Sequence, residues 1–263
     1  MPEVLAPPVT AAASLGMRPL LEHDPVPGTV LGADRHTAWV GAGGTVLAVV
    51  GAGAVRLPNA VAVPGSVGIW SPGEPALVGG RRVVAGAATV EVVRWWDPRP
   101  ALVATSATAV RRRVAGIAGA VPPCDDAGLG RALRWGGRSR IAATAHRLLG
   151  RGPGLTPLGD DILCGALTGL ALLGPAARSR RADRRLGALA GVVDAGIAGR
   201  TTALSAALLR HARRGEVAAA AAPLLQALAG RGDPETALAV LLEVGHTSGT
   251  GLAHGIVLAG EAL

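Results

Sequence analysis

Two textures of hydrophobic residues follow one another along the chain. From about residue 28 to 97, short apolar runs are separated by Gly and Pro: "TAWVGAG", "TVLAVVG", "NAVAVPG", "VGIW", "RRVVAG" and "ATVEVVRWW". Their β-branched content and their roughly 6–12-residue spacing predict an antiparallel sheet or small barrel. Residues 1–25 read as a Pro-containing lead-in, and "WDPRP" marks a boundary near residue 98.

Beyond it the period changes. Residues 101–120, 125–149, 158–173, 182–213, 216–230, 234–244 and 250–262 are rich in Ala, Leu and Arg and punctuated by Gly and Pro, which predicts helices. Strands first and helices later predict a segregated α+β protein, with an N-terminal β sheet or small barrel followed by a C-terminal helical bundle. The expected domains are 1–98 and 99–263. In "EVAAAAAPLLQALAG" the pattern predicts a helix interrupted by its proline.

Composition alters how the charge is read. All 26 basic residues are Arg, Phe and Tyr are absent, and Asn59 and Gln226 are the single residues of their types. A GC-rich genome imposes this pattern on any protein, so the net charge of +8 reflects codon bias more than a polyanionic partner. The chain is also poor in aromatic residues that would stack on bases, with five Trp and no Phe or Tyr. The expectation is no nucleic acid, with "RSRRADRR" (178–185) as a solvated helix face or connection. Cys124 and Cys164 have no metal-like spacing and read as buried thiols in a reducing cytosol. The first residues lack a basic n-region, so no signal peptide is expected. The uncharged run Ile162–Ala177 is too short and too broken to span a bilayer. The expected setting is the cytoplasm, with no membrane.

The candidate chemistry centres on "GRGPGLTPLGDDILCGAL" (150–167). Thr156 and Pro157 suit the N-cap and first position of a helix. The apolar run behind them predicts a buried helix, with Asp160 and Asp161 in its first turn beside the positive end of the dipole. Two readings stay open: carboxylates that stabilise the helix, or carboxylates that hold a cation or a substrate donor. In "VGHTSGTGLAHG" (244–255), Thr247 and Ser248 suit a helix start, Gly249 and Gly251 allow close approach of backbone to a ligand, and His246 is a candidate acid or base. In "GRTTALS" (199–205), Thr201 and Thr202 suit another cap, and Arg200 suits a carboxylate or phosphate. Asn59 reads either as a turn residue or as an amide retained against the compositional drift. There is no nucleophile elbow, lysine-containing phosphate loop or dinucleotide fingerprint.

"GPGLTPLGDD" resembles the "GLTPSGDD" signature of the AllH-like family, named after a subunit of oxamate carbamoyltransferase. "PNAVAV", "RTTALS", "LLRHARRGE" and "GHTSGTGLAHG" extend the resemblance, in family order, over most of residues 28–258. Two positions depart from it: Leu158 replaces the Ser before Gly159, and Gly251 stands where the family usually has Asp.

The resemblance implies a part in purine and allantoin nitrogen metabolism, exchanging oxalurate and phosphate with oxamate and carbamoyl phosphate in a complex with other protein subunits. Such chemistry asks for donors to a small anionic substrate and a group that orients the amide nitrogen. Asp160, Asp161 and His246 are the catalytic candidates. Asn59, Thr156, Gly159, Arg200, Thr201, Thr247, Ser248 and Gly249 are the binding candidates. No cofactor is firmly implied, although Mg²⁺ suits an aspartate pair. Three readings follow: a carbamoyltransferase subunit with a small-anion site, a non-catalytic assembly subunit, or a stand-alone Mg²⁺-assisted hydrolase.

Overall fold

The computed structural model describes residues 7–67 and 70–263. Contacts divide the chain into two compact units, residues 1–98 and 99–263.

The first unit is a closed eight-stranded barrel. Its strands are β1 (Val9–Ser14), β2 (Val26–Ala33), β3 (Thr37–Ala42), β4 (Thr45–Val50), β5 (Ala60–Ala62), β6 (Pro75–Gly79), β7 (Arg82–Ala85) and β8 (Ala88–Trp96), with the short helix α1 (Arg18–Leu21) after β1. The strand order is β1-β5-β4-β3-β2-β6-β7-β8. Inward residues alternate along β3, where Ala38, Val40 and Ala42 are buried, as a pleated strand with one buried face requires. The expected barrel is present but not wholly antiparallel, because β1 runs parallel to β8 and β5 parallel to β4. The residues read as a lead-in supply β1, which closes the barrel by pairing with both β5 and β8. Of "VGIW", residues 68 and 69 lie outside the described residues.

The second unit is helical: α2 (Ala107–Ile117), α3 (Leu129–Trp135), α4 (Arg138–Leu148), α5 (Leu158–Ala176), α6 (Arg180–Asp194), α7 (Ala203–Ala212), α8 (Ala222–Ala229), α9 (Pro234–Leu242) and α10 (Ser248–Glu261). Two of the expected helices are divided. Residues 125–149 break at Gly136 and Gly137, and residues 182–213 break around Gly196 and Gly199. Pro223 stands in the first turn of α8 rather than interrupting a helix, since a proline without an N–H costs least there.

α5 is buried almost all round and packs along α10. Small residues allow the approach. A Cβ on Gly165 would lie 2.2 Å from the Leu252 carbonyl oxygen, and one on Gly255 would lie 2.1 Å from the Ile162 carbonyl oxygen. Both glycines therefore exclude any side chain, and two helix backbones meet at van der Waals distance. Among the described residues α5 is the one helix long and apolar enough to cross a membrane, but its apolar faces are spent inside this unit. Both cysteines are free thiols; Cys164 is buried in α5 as expected, whereas Cys124 is half-buried, in the loop before α3.

Candidate functional site

The signature "GRGPGLTPLGDD" forms a bent loop leading into α5. Gly150 has φ 69°, and a Cβ there would lie 2.3 Å from the Arg200 carbonyl oxygen, so the loop presses onto the residues preceding α7. Gly159 stands equally close to the Leu148 carbonyl oxygen, 2.1 Å from a would-be Cβ. The N-cap of α5 is Pro157, with no side-chain capping bond. Thr156 is therefore not the cap expected of it, and its hydroxyl lies 2.9 Å from the Ser248 hydroxyl instead.

The two aspartates occupy the first turn of α5, as expected, but do different things. Asp160 is 1 % exposed. It accepts from the Gly150 N–H at 2.9 Å and from the Thr201 hydroxyl, with Ser205 contributing a further bond. Burial raises its pKa, and these donors oppose the rise. Asp160 thus ties the signature loop to the start of α7. Asp161 is 4 % exposed. It bonds to the Ser248 hydroxyl at the start of α10, and its Oδ2 is buried with no partner among the described residues. Burial pushes its carboxyl up to about 7; the Ser248 bond opposes this and the neighbouring Asp160 charge adds to it.

These contacts connect Asp161 to Ser248 and Ser248 to Thr156. Each hydroxyl has one proton to give, so the direction of donation depends on the carboxyl. When Asp161 is ionised, Ser248 donates to it and Thr156 donates to Ser248. When Asp161 is protonated, the order can reverse.

A cleft of about 600 Å³ lies over this chain of hydroxyls. Its walls are the Arg151–Thr156 loop with Leu158 and Gly159, and the Gly245–Ser248 turn, with Asp125 at one side. Thr156, Gly159, His246, Thr247 and Ser248 thus meet here as candidates from two distant segments. Asp160 and Asp161 do not line the cleft; both carboxylates are buried beneath it. Arg151 pairs with Asp125 at 2.7 Å and is the guanidinium that reasoning from motifs missed; it stands inside the quoted stretch, five residues before Thr156.

Several expected roles change. At the start of α5 three N–H groups are already bonded: that of Gly159 to the Arg151 carbonyl and those of Asp160 and Asp161 to the Pro157 carbonyl. Gly249 donates to the Val244 carbonyl and lies against Leu241, where a Cβ would be 2.0 Å from the carbonyl oxygen. Gly249 and Gly251 therefore serve packing rather than close approach to a ligand. Thr247 holds the N-cap position of α10 without a side-chain bond. Thr202 caps α7 through the Ser205 N–H. Arg200 is exposed, donates weakly to the His146 carbonyl at 3.5 Å and is not on the cleft wall. Asn59 belongs to the barrel unit, where its Nδ2 donates to the Val46 carbonyl at 2.9 Å and its Oδ1 is buried without a partner; its amide fastens the β5 approach to β4. Among the described residues no group of three or more His, Cys, Asp or Glu side chains is placed to hold a metal. A hydrated Mg²⁺ also needs room for waters, which the buried aspartates do not offer.

"LLRHARRGE" closes α7. Buried His211 meets Glu216 through Nδ1, and Arg214 adds a second bond to the same carboxylate. Burial raises the Glu216 pKa, but these two partners outweigh it and bring the carboxyl down to about 2.

The helical unit thus carries a cleft backed by a buried, hydroxyl-linked carboxyl. The family described as oxamate carbamoyltransferase subunit AllH has a model that matches residues 148–260, the segment from the end of α4 to the last turn of α10. Over that segment the chain is similar to the AllH family, in keeping with the motifs; "PNAVAV" and the barrel lie outside the match. No curated protein and no solved structure gives a significant match.

Proposed function

We propose that the chain is a subunit of a carbamoyltransferase-type complex and that the cleft between residues 151–159 and 245–248 takes its small anionic substrate. The observation that carries this reading is the connection from the buried Asp161 carboxyl, through Ser248, to Thr156 on the cleft wall. A general acid or base works best with a pKa near the operating pH, and Asp161 is held at about 7.

In the direction that cleaves oxalurate, a phosphate oxygen attacks the carbamoyl carbon. The C–N bond then breaks, and the departing amide nitrogen takes a proton. Asp161 supplies that proton through the Ser248 hydroxyl, while Arg151, His246 and Thr247 gather the negative charge of the substrate. In the reverse direction the same path removes a proton from oxamate nitrogen. The test is oxalurate phosphorolysis by the complex purified with its partner subunits. Asp161→Asn and Ser248→Ala should each lower kcat at least tenfold; unaltered turnover in both would sink this reading.

One observation favours the assembly role instead. Asp160 is spent on joining the signature loop to α7, and the N–H groups of Gly159, Asp160 and Asp161 are satisfied by carbonyls of the same loop. An assembly subunit would be dispensable for turnover once its partners were held together by other means.

A further inference from the structure

A second cleft opens in the helical unit, lined by neither aspartate nor any of the motif residues. Its volume is about 890 Å³, and its wall carries Arg131, Arg134, Arg140 and Arg147 with Ser139 and Thr144. The acidic residue on this wall, Asp126, commits its carboxylate to the Gly128 and Gly130 N–H groups, both at 2.8 Å. Arg134 pairs with Glu261 at 3.2 Å, and Arg147 donates to the Ala127 carbonyl at 2.9 Å. The side chains of Arg131 and Arg140 have no hydrogen-bond or ion-pair partner among the described residues.

Codon bias explains how many arginines the chain has, but not why four line one concavity. Like charges gathered in a cleft repel one another and focus a positive field outward, a cost that an anion in the cleft offsets. The guanidinium is always charged, and its planar fork matches phosphate oxygens two at a time. The start of α4 adds to the same field: Gly137 provides no side-chain cap, and no acidic residue stands in the first turn. The volume is that of a small-molecule site, and two uncompensated guanidinium groups exceed what a singly charged anion would offset.

We propose that this cleft binds a phosphorylated small molecule carrying two or more negative charges, of which pyrophosphate and a nucleoside diphosphate are the two sources. The inference is independent of the reading given to the aspartate cleft. The test is calorimetric titration of the full chain, at physiological salt, with pyrophosphate, with ADP and with inorganic phosphate. Saturable one-to-one binding is expected for pyrophosphate or ADP, and whichever binds more tightly identifies the source. Arg131→Gln and Arg140→Gln should each weaken it at least tenfold, with circular dichroism unchanged because both side chains are exposed and unpaired. Arg112→Gln, an exposed change on α2 away from the cleft, should have no effect. Chemical modification by phenylglyoxal gives a second readout, in which the ligand should protect Arg131 and Arg140. Absence of saturable binding, equal loss in Arg112→Gln, or binding confined to duplex DNA with a steep salt dependence would overturn the proposal.

Discussion

A Cβ on Gly251 would lie 2.6 Å from the Cβ of Asp161. α10 therefore rests on α5 where the buried carboxyl sits, and the departure at position 251 has a packing consequence. Gly251→Ala should force the two helices apart, costing about 1–3 kcal/mol and lowering the melting temperature by several degrees. It should also loosen the Asp161–Ser248 bond. Thermal unfolding followed by circular dichroism checks this; an unchanged melting temperature would mean that the helix pair yields freely.

Asp161 should make stability depend on pH in a defined direction. Its carboxyl lies at about 7 in the folded chain against an ordinary 3.8, so the folded state favours the protonated form. The stabilisation is complete below about pH 4 and is lost as pH rises through 7. Asp161→Asn is neutral throughout and does not lose it. The stability difference, wild type minus variant, should therefore fall between pH 4 and pH 8 by up to about 4 kcal/mol. Urea unfolding at several pH values measures it, and a flat difference would contradict the burial assigned to this carboxyl.

Asp160 should behave otherwise. Its carboxylate satisfies the Gly150 N–H and the Thr201 hydroxyl, so Asp160→Ala leaves buried donors unmet. The expected cost is about 2–4 kcal/mol at neutral pH, with the signature loop loosened against α7. Hydrogen exchange at Gly150 should accelerate. Protection equal to that of the wild type would show that Asp160 is not the tie.

The change of texture at "WDPRP" made the α+β order legible, because alternation and helical periodicity are local. β1 was hidden: "VTAAAS" is short and alanine-rich, and it becomes a strand by pairing with β5 and β8, more than 45 residues away. Nothing local in the signature or in the Gly245–Ser248 turn shows that they meet; the fold brings them together through Thr156 and Ser248. Gly249 and Gly251 looked like concessions to a ligand because a sequence does not reveal which helix lies against which. Arg131 and Arg140 were lost among arginines attributed to codon bias; only the fold brings them to one wall.

The division at residue 98 should be physical. The core of the helical unit, from Val110 to Leu263, is assembled wholly within residues 99–263, so this segment expressed alone should unfold cooperatively. A broad, non-cooperative transition with exposed apolar surface would show that it requires the barrel.

The central claim is that the cleft over Ser248 serves Asp161. It is tested most directly by titrating the full chain with oxamate in a calorimeter, comparing wild type with Ser248→Ala. The wild-type protein should bind saturably, and the variant at least tenfold more weakly at a temperature well below its melting point, since loss of the half-buried Ser248 hydroxyl removes its bonds to Asp161 and Thr156 and costs about 1–3 kcal/mol. Equal affinity in the two proteins would contradict the account.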